Sequence, residues 1–177
     1  MYRIELREYP LLRFAAHGYW VAYEGDELVG ELHGLATCRR TGVARAVGTR
    51  RDQLRGWCFP MTGQPLRMQA GHGGFSGLLE PSQASAVVFE GDRDAVMSRW
   101  QRAVLAASAL DSANVTYSMI GGALDDITTG NSNSAFRTFA DVMELPTPKL
   151  RAWTRPGERK NVLPRATYAG LYETATS

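Results

Sequence analysis

Cysteine is scarce in this chain, long apolar runs are missing and neither charge dominates, and each shortage removes a class of explanation. Cys38 and Cys58 are the only cysteines in 177 residues. They form no Cys-x-x-Cys pair and no Cys/His cluster at zinc spacing, so neither a disulfide framework nor a structural metal site is expected. The net charge is only +2 at pH 7. Acidic residues are interspersed among the arginines and no Lys/Arg run with interleaved aromatics occurs, so nucleic-acid binding is not expected despite a pI of about 8.7. Near the start Arg3, Glu5, Arg7 and Glu8 alternate with Tyr2, Ile4 and Leu6, the pattern of a strand and not of a signal peptide or membrane span. The expectation is a soluble chain made in the cytoplasm; if it is secreted, this happens without a signal peptide.

What is present is enough to build one core. With 44% hydrophobic residues, residues 1–150 read as a single domain and residues 151–177 as a C-terminal tail packed on it. Tyr2 to Tyr9 reads as a strand that Pro10 interrupts, and Arg13 to Tyr23 as a second strand. The turn chemistry of Glu24-Gly25-Asp26-Glu27 then joins it to a third at Leu28 to Leu35, giving a hairpin. Residues 36–52 read as a Gly-, Thr- and Arg-rich loop, Gln53 to Phe59 as a strand, 60–85 as mostly irregular, and Ala86 to Phe89 as a short strand. Asp92 is placed to cap a helix running to about Leu110, with Val96, Trp100, Ala103, Val104 and Ala107 on one face. Asn114 to Met119 reads as extended and 120–130 as a loop. A second helix over 132–144 ends at Pro146 and Pro148.

Asn131-Ser132-Asn133-Ser134 opens that second helix, whose Phe136, Phe139, Ala140 and Met143 recur at helical spacing. Small polar side chains at a helix start either cap it or present a nucleophile beside unpaired backbone N–H groups that would bind a developing oxyanion. Two strand histidines, His17 and His33, supply the imidazoles such chemistry needs. A strand histidine more often packs and finds hydrogen-bond partners in a core, but two on adjacent strands weaken that explanation. Glu31 shares a strand face with His33 and could orient His17, although a solvated carboxylate is the commoner outcome. His72, in Gly71-His72-Gly73-Gly74, ranks below the other two. Cys58 reads as a small buried hydrophobe, and Cys38 as a minor alternative centre.

The order histidine on a strand, histidine on the next strand, then Asn-Ser-Asn at a helix start resembles circularly permuted papain-like proteins, among them relatives of the NlpC-type peptidases and of lecithin retinol acyltransferase. Those carry cysteine where this chain has Ser132. The resemblance implies an α+β fold with an antiparallel sheet and two main helices. In it His17 is the base, His33 the orienting residue and Ser132 the nucleophile-position residue, while Asn131, Asn133 and Ser134 serve as substrate- or oxyanion-binding residues. It implies a hydrolase or acyltransferase acting on an amide or ester bond without metal or cofactor. The substrate is then a peptide, peptidoglycan or a lipid, and the role that of a bacterial effector toxin delivered by a secretion system, with an immunity protein as partner. Serine has no anion accessible near neutral pH and must give its proton to the base during attack. Its presence leaves three readings open: a working serine nucleophile, a non-catalytic binding module of the same fold, or a chain in which cysteine has been exchanged. A structural component of a phage or secretion apparatus is a further class.

Overall fold

The structure is a computed structural model that describes residues 1–12, 15–45, 47–59, 82–120, 126–152 and 154–175. In chain order the elements are β1 (Tyr2–Leu12), β2 (Ala15–Glu24), β3 (Glu27–Cys38), β4 (Ala44–Arg45), β5 (Asp52–Phe59) and β6 (Ala84–Gly91), then α1 (Arg93–Ala113), β7 (Thr116–Tyr117), β8 (Thr129–Gly130), α2 (Ser132–Met143) and α3 (Arg165–Ala175). The described strands form one curled sheet in the order β6-β1-β2-β3-β5-β7-β8, with β4 pairing β3 off that path. Its ladders are antiparallel except for the short parallel pair β7/β8. The architecture is therefore mixed α+β with an antiparallel-dominated sheet. No helix among the described residues is long and apolar enough to cross a membrane.

The hairpin between β2 and β3 forms because Gly25, at φ +57°, takes the left-handed conformation at the first position of a two-residue turn without strain. β1 does not stop at Pro10 as the sequence reading expects; it continues to Leu12. β6 pairs β1 only as far as Glu8, so among the described residues one edge of β1 has no ladder beyond that point and proline's missing N–H is not called on there. The register with β2 shifts between Pro10 and Leu12. β3 is longer than the hydrophobic alternation indicates and extends to Cys38, because β5 pairs it along its second half. Of the segment expected to be irregular, 60–81, including His72, lies outside the described residues, while Ala84 and Ser85 already belong to β6.

One face of the sheet carries the core. Ile4 and Leu6 of β1, Trp20 and Ala22 of β2, Leu32 and Ala36 of β3 and Leu54 of β5 are all buried against α1 and α2. Burial of each large aliphatic or aromatic side chain of this kind contributes about 1.5–3 kcal/mol. α1 is capped by Asp92, whose Oδ1 accepts from the Ala95 N–H at 2.8 Å, and it buries Val96, Trp100, Ala103, Ala107 and Leu110, with Val104 half-buried beside them. α2 ends at Glu144 in the left-handed conformation, ahead of the two prolines.

A third helix corrects the expectation of two. α3 starts after Pro164 and docks against α1. Tyr168 is buried and Leu171 and Tyr172 pack on the same core. These three stand at i, i+3 and i+4, which is helical spacing. With only 11 residues and Gly170 in its middle, however, the segment has little intrinsic helicity and owes its structure to docking.

Candidate functional site

β2 and β3 pair from the hairpin turn only as far as Trp20 opposite Leu32. Beyond that they part, β2 staying with β1 and β3 with β5. The freed edge of β2 is closed by groups from elsewhere in the chain. The Ala16 N–H donates to the Thr154 carbonyl at 3.0 Å. Asn133, in the first turn of α2, accepts from the Gly18 N–H through Oδ1 at 2.9 Å and donates through Nδ2 to the Ala16 carbonyl at 3.0 Å. A primary amide offers the same acceptor and donor as a peptide unit, so Asn133 replaces a neighbouring strand over this stretch.

His17 sits between those two peptides. Gly18 and Gly34 face α2: a Cβ on Gly18 would lie 3.1 Å from the Phe136 ring, and one on Gly34 would overlap the Ala135 methyl. His17 and His33, one residue earlier on each strand, therefore project from the opposite side of the sheet. There the two imidazoles meet, His17 Nε2 lying 3.1 Å from His33 Nδ1. His33 Nε2 in turn lies 3.0 Å from Glu31 Oε2. Relative exposures of 2%, 1% and 3% for His17, His33 and Glu31 place the whole chain of groups away from water. Tyr19 stacks on His33 at 4.6 Å between ring centroids, and its hydroxyl bonds Gln83.

The order of partners assigns the tautomers. An ionised carboxylate only accepts, so His33 Nε2 carries a proton toward Glu31. Neutral His33 then accepts at Nδ1, and His17 Nε2 donates to it. What remains is His17 Nδ1, a buried lone pair with no hydrogen-bond partner. Burial pushes the His17 pKa well below its ordinary value, and the neighbouring His33 pushes the same way. Burial also lowers His33, partly opposed by Glu31. Both rings are therefore neutral at pH 7 and held in one tautomer, which leaves His17 Nδ1 as the proton-accepting atom.

The start of α2 is tied in from several sides. Asn131 is the N-cap: its Oδ1 accepts from the Ser134 N–H at 3.0 Å, while the Asn131 N–H donates to Ser134 Oγ at 3.4 Å. Asn131 Nδ2 donates to the carbonyls of Met119 and Pro156, Asn133 Nδ2 reaches the Pro156 carbonyl as well, and Ser134 Oγ donates to that of Gly157. The 154–160 segment thus straps the helix start down, pinned by the buried Arg155, whose Nε lies 2.6 Å from Glu158 and 3.7 Å from Glu8. The capping bonds leave the N–H groups of Ser132 and Asn133 unused. Ser132 itself is 4% exposed. Its hydroxyl bonds the phenol of Tyr117, whose pKa burial raises while that bond and one from the Gly48 backbone lower it.

His17 and His33 are thus in direct contact, and the α2 start grips the backbone around His17. The Ser132 hydroxyl makes no hydrogen bond with His17. Asn131, Asn133 and Ser134 spend their polar groups on the chain's own backbone. Glu31 corrects the sequence reading: it is buried and bonded to His33, not solvated. Its i, i+2 spacing from His33 was the available signal, but only the covering of that sheet face decides between bonding and solvation. Tyr117, Arg155 and Pro156 lie far from the motif in sequence and no local pattern marks them. Cys58 is half-buried against the core, with its thiol pushed up to about 11 by desolvation, in keeping with a packed hydrophobe. Among the described residues no group of three or more His, Cys, Asp or Glu side chains is arranged to hold a metal ion.

Comparison with protein-family models, with curated proteins and with solved structures finds no match to this chain.

Proposed function

We propose that this chain is an acyl-transfer enzyme, a hydrolase or acyltransferase acting on an amide or ester bond, built on a permuted papain-like arrangement. The observation that carries this reading is the buried Glu31–His33–His17 relay ending in an unpartnered lone pair at His17 Nδ1. A buried nitrogen without a partner costs about 1–3 kcal/mol, and in this reading His17 Nδ1 is kept open to take a proton. In the proposed reaction the Ser132 hydroxyl, on the α2 side of the sheet, turns from Tyr117 and meets His17 Nδ1 through the gap where β2 and β3 part, passing it the proton as its oxygen attacks the acyl carbon. His33 and Glu31 stabilise the imidazolium that forms, and the Ser132 and Asn133 N–H groups at the helix start receive the oxyanion. The intermediate then collapses, the amide or ester bond breaks and His17 gives its proton to the departing amine or alcohol. Water or an acceptor hydroxyl, deprotonated by His17, next attacks the acyl-serine and frees Ser132. A peptide, peptidoglycan or lipid substrate, and a role as a secreted toxin with an immunity partner, follow from the sequence resemblance alone.

A fluorophosphonate probe tests this reading. Mass spectrometry of the labelled protein is expected to find the adduct on Ser132, lost in Ser132→Ala and in His17→Ala. Natively folded protein that takes up no probe at Ser132 would refute a serine nucleophile. The bond between Ser132 and Tyr117 favours a second reading, a non-catalytic binding module of the same fold. Ser132→Cys separates the two: labelling by iodoacetamide well below the ordinary thiol pKa of about 8.5, abolished by His17→Ala, supports the acyl-transfer site, and an unshifted thiol supports the binding module.

A further inference from the structure

On the far side of β3 from the hairpin, two tight turns enclose a cavity of about 700 Å³ lined by Arg39, Arg40, Arg45, Arg50 and Arg51. Five of the chain's 20 Lys and Arg residues thus fall within positions 39–51, a stretch without a single Asp or Glu. A sequence scan sees only an Arg-rich loop; the pairing of β4 with β3 and of β3 with β5 folds the two arginine groups toward each other.

Among the described residues these charges are compensated at Arg45 alone. Arg39 bonds the neutral side chains of Asn114 and Thr116. Arg40, Arg50 and Arg51 have no ion pair among the described residues. Arg45 approaches Asp52 at 3.8 Å. Asp52, the one carboxylate in the lining, is 2% exposed and is spent on the Thr49 N–H and hydroxyl at 2.8 and 3.1 Å. Both walls are already set by backbone hydrogen bonds, Cys38 N–H to Val43 carbonyl at 2.9 Å on one side and Asp52 N–H to Thr49 carbonyl at 3.0 Å on the other. The Cys38 thiol, at the same cavity, is held below its usual range by the Thr41 hydroxyl and by the Thr41 and Arg40 N–H groups, a local setting that favours negative charge.

We infer that this cavity is a binding site for a compact ligand carrying two or more phosphate groups. Guanidinium forks pair with phosphate oxygens two bonds at a time, and five of them around one cavity exceed what a single monoanion can neutralise. The lining contains no aromatic side chain on which a base could stack, which favours a phosphate cluster over single-stranded nucleic acid. The site is independent of the histidine relay and of any reaction there.

Calorimetric titration with inorganic tripolyphosphate is the test. Saturable one-to-one binding is expected, weakened at least tenfold in Arg40→Gln/Arg50→Gln and strongly reduced when salt is raised to about 0.5 M. The control Arg93→Gln/Arg159→Gln removes the same charge at exposed positions elsewhere and is expected to bind like the unmodified chain. Arg51→Gln alone provides an independent loss of affinity should the double variant fail to fold. Vesicles bearing a bisphosphorylated inositol headgroup identify a lipid source if they bind and tripolyphosphate displaces them, and a soluble source if they do not bind while tripolyphosphate does. Absence of saturable tripolyphosphate binding overturns the inference. So does equal weakening in the control variant, or stronger binding to RNA or to phosphatidylserine vesicles that tripolyphosphate does not displace.

Discussion

The side-chain amide of Asn133 bridges the two peptide groups on either side of His17, accepting from Gly18 at 2.9 Å and donating to Ala16 at 3.0 Å. A residue in the first turn of a helix thereby fixes the backbone of a histidine 116 positions earlier, as the separation of 115 residues from Gly18 indicates. Asn133→Ala leaves a buried N–H and a buried carbonyl unpaired and is expected to cost about 2–4 kcal/mol in urea denaturation. Asn133→Asp is no rescue, because a carboxylate cannot donate to the Ala16 or Pro156 carbonyl. A loss below about 0.5 kcal/mol in both variants would show that the bridge does not hold the strand edge.

Stability should fall as the pH drops through the histidine range. The folded pKa values of His17 and His33 are both lowered from the ordinary 6.5, mainly by burial. The unfolded chain therefore takes up protons near 6.5 while the folded chain stays neutral, so the stabilisation is fully present above that pH and is lost as the pH falls below it. Urea midpoints at pH 7.5, 6.5 and 5.5 should decrease in that order, more shallowly in His17→Gln. A flat profile would mean that the histidines are not buried in the folded state.

Glu31 sets the proton arrangement of both rings. Glu31→Leu removes the acceptor of the buried His33 Nε2–H and is expected to cost about 1–3 kcal/mol, while Glu31→Gln, which can still accept there, costs less. In NMR spectra the ring N–H proton of His33, protected from exchange in the unmodified protein, should vanish in Glu31→Leu. If an acyl-transfer substrate is found, the same variant should lower kcat by about 10²–10⁴ with little change in KM. Equal stability and equal spectra in Glu31→Leu would count against the relay.

Gly34 lets α2 approach β3 until its Cα position faces the Ala135 methyl with no room for a second one. Gly34→Ala is expected to destabilise by about 1–3 kcal/mol through overpacking. Ala135→Gly alone costs about 0.5–1 kcal/mol of helix propensity, yet it should relieve Gly34→Ala, giving a favourable coupling above about 0.5 kcal/mol in a double-mutant cycle. Simple additivity would show that α2 shifts freely on the sheet.

Local chemistry in the sequence was enough for the β2–β3 hairpin, for β5, for α1 with its Asp92 cap and for α2, since period, turn residues and caps are properties of neighbouring positions. It also marked His17, His33 and the Asn131–Ser134 helix start as one group worth attention. Pro10 misled because proline's cost depends on whether a partner strand needs its N–H, and the β1–β6 ladder ends at Glu8 opposite Ala84, before Pro10. α3 was missed because Gly170 and its short length hide a helix that docking against α1 stabilises. Which face of β2 and β3 is covered, and hence whether Glu31 meets water or His33, was settled only by tertiary structure. The same holds for the partner of the Ser132 hydroxyl, for the Asn133 bridge and for the gathering of Arg39, Arg40, Arg45, Arg50 and Arg51. Each of these depends on groups brought together by packing from separate elements. Spacing along a chain specifies which side chains share a face, but the free energy of a buried hydrogen bond or an uncompensated charge depends on what lies across from it in space.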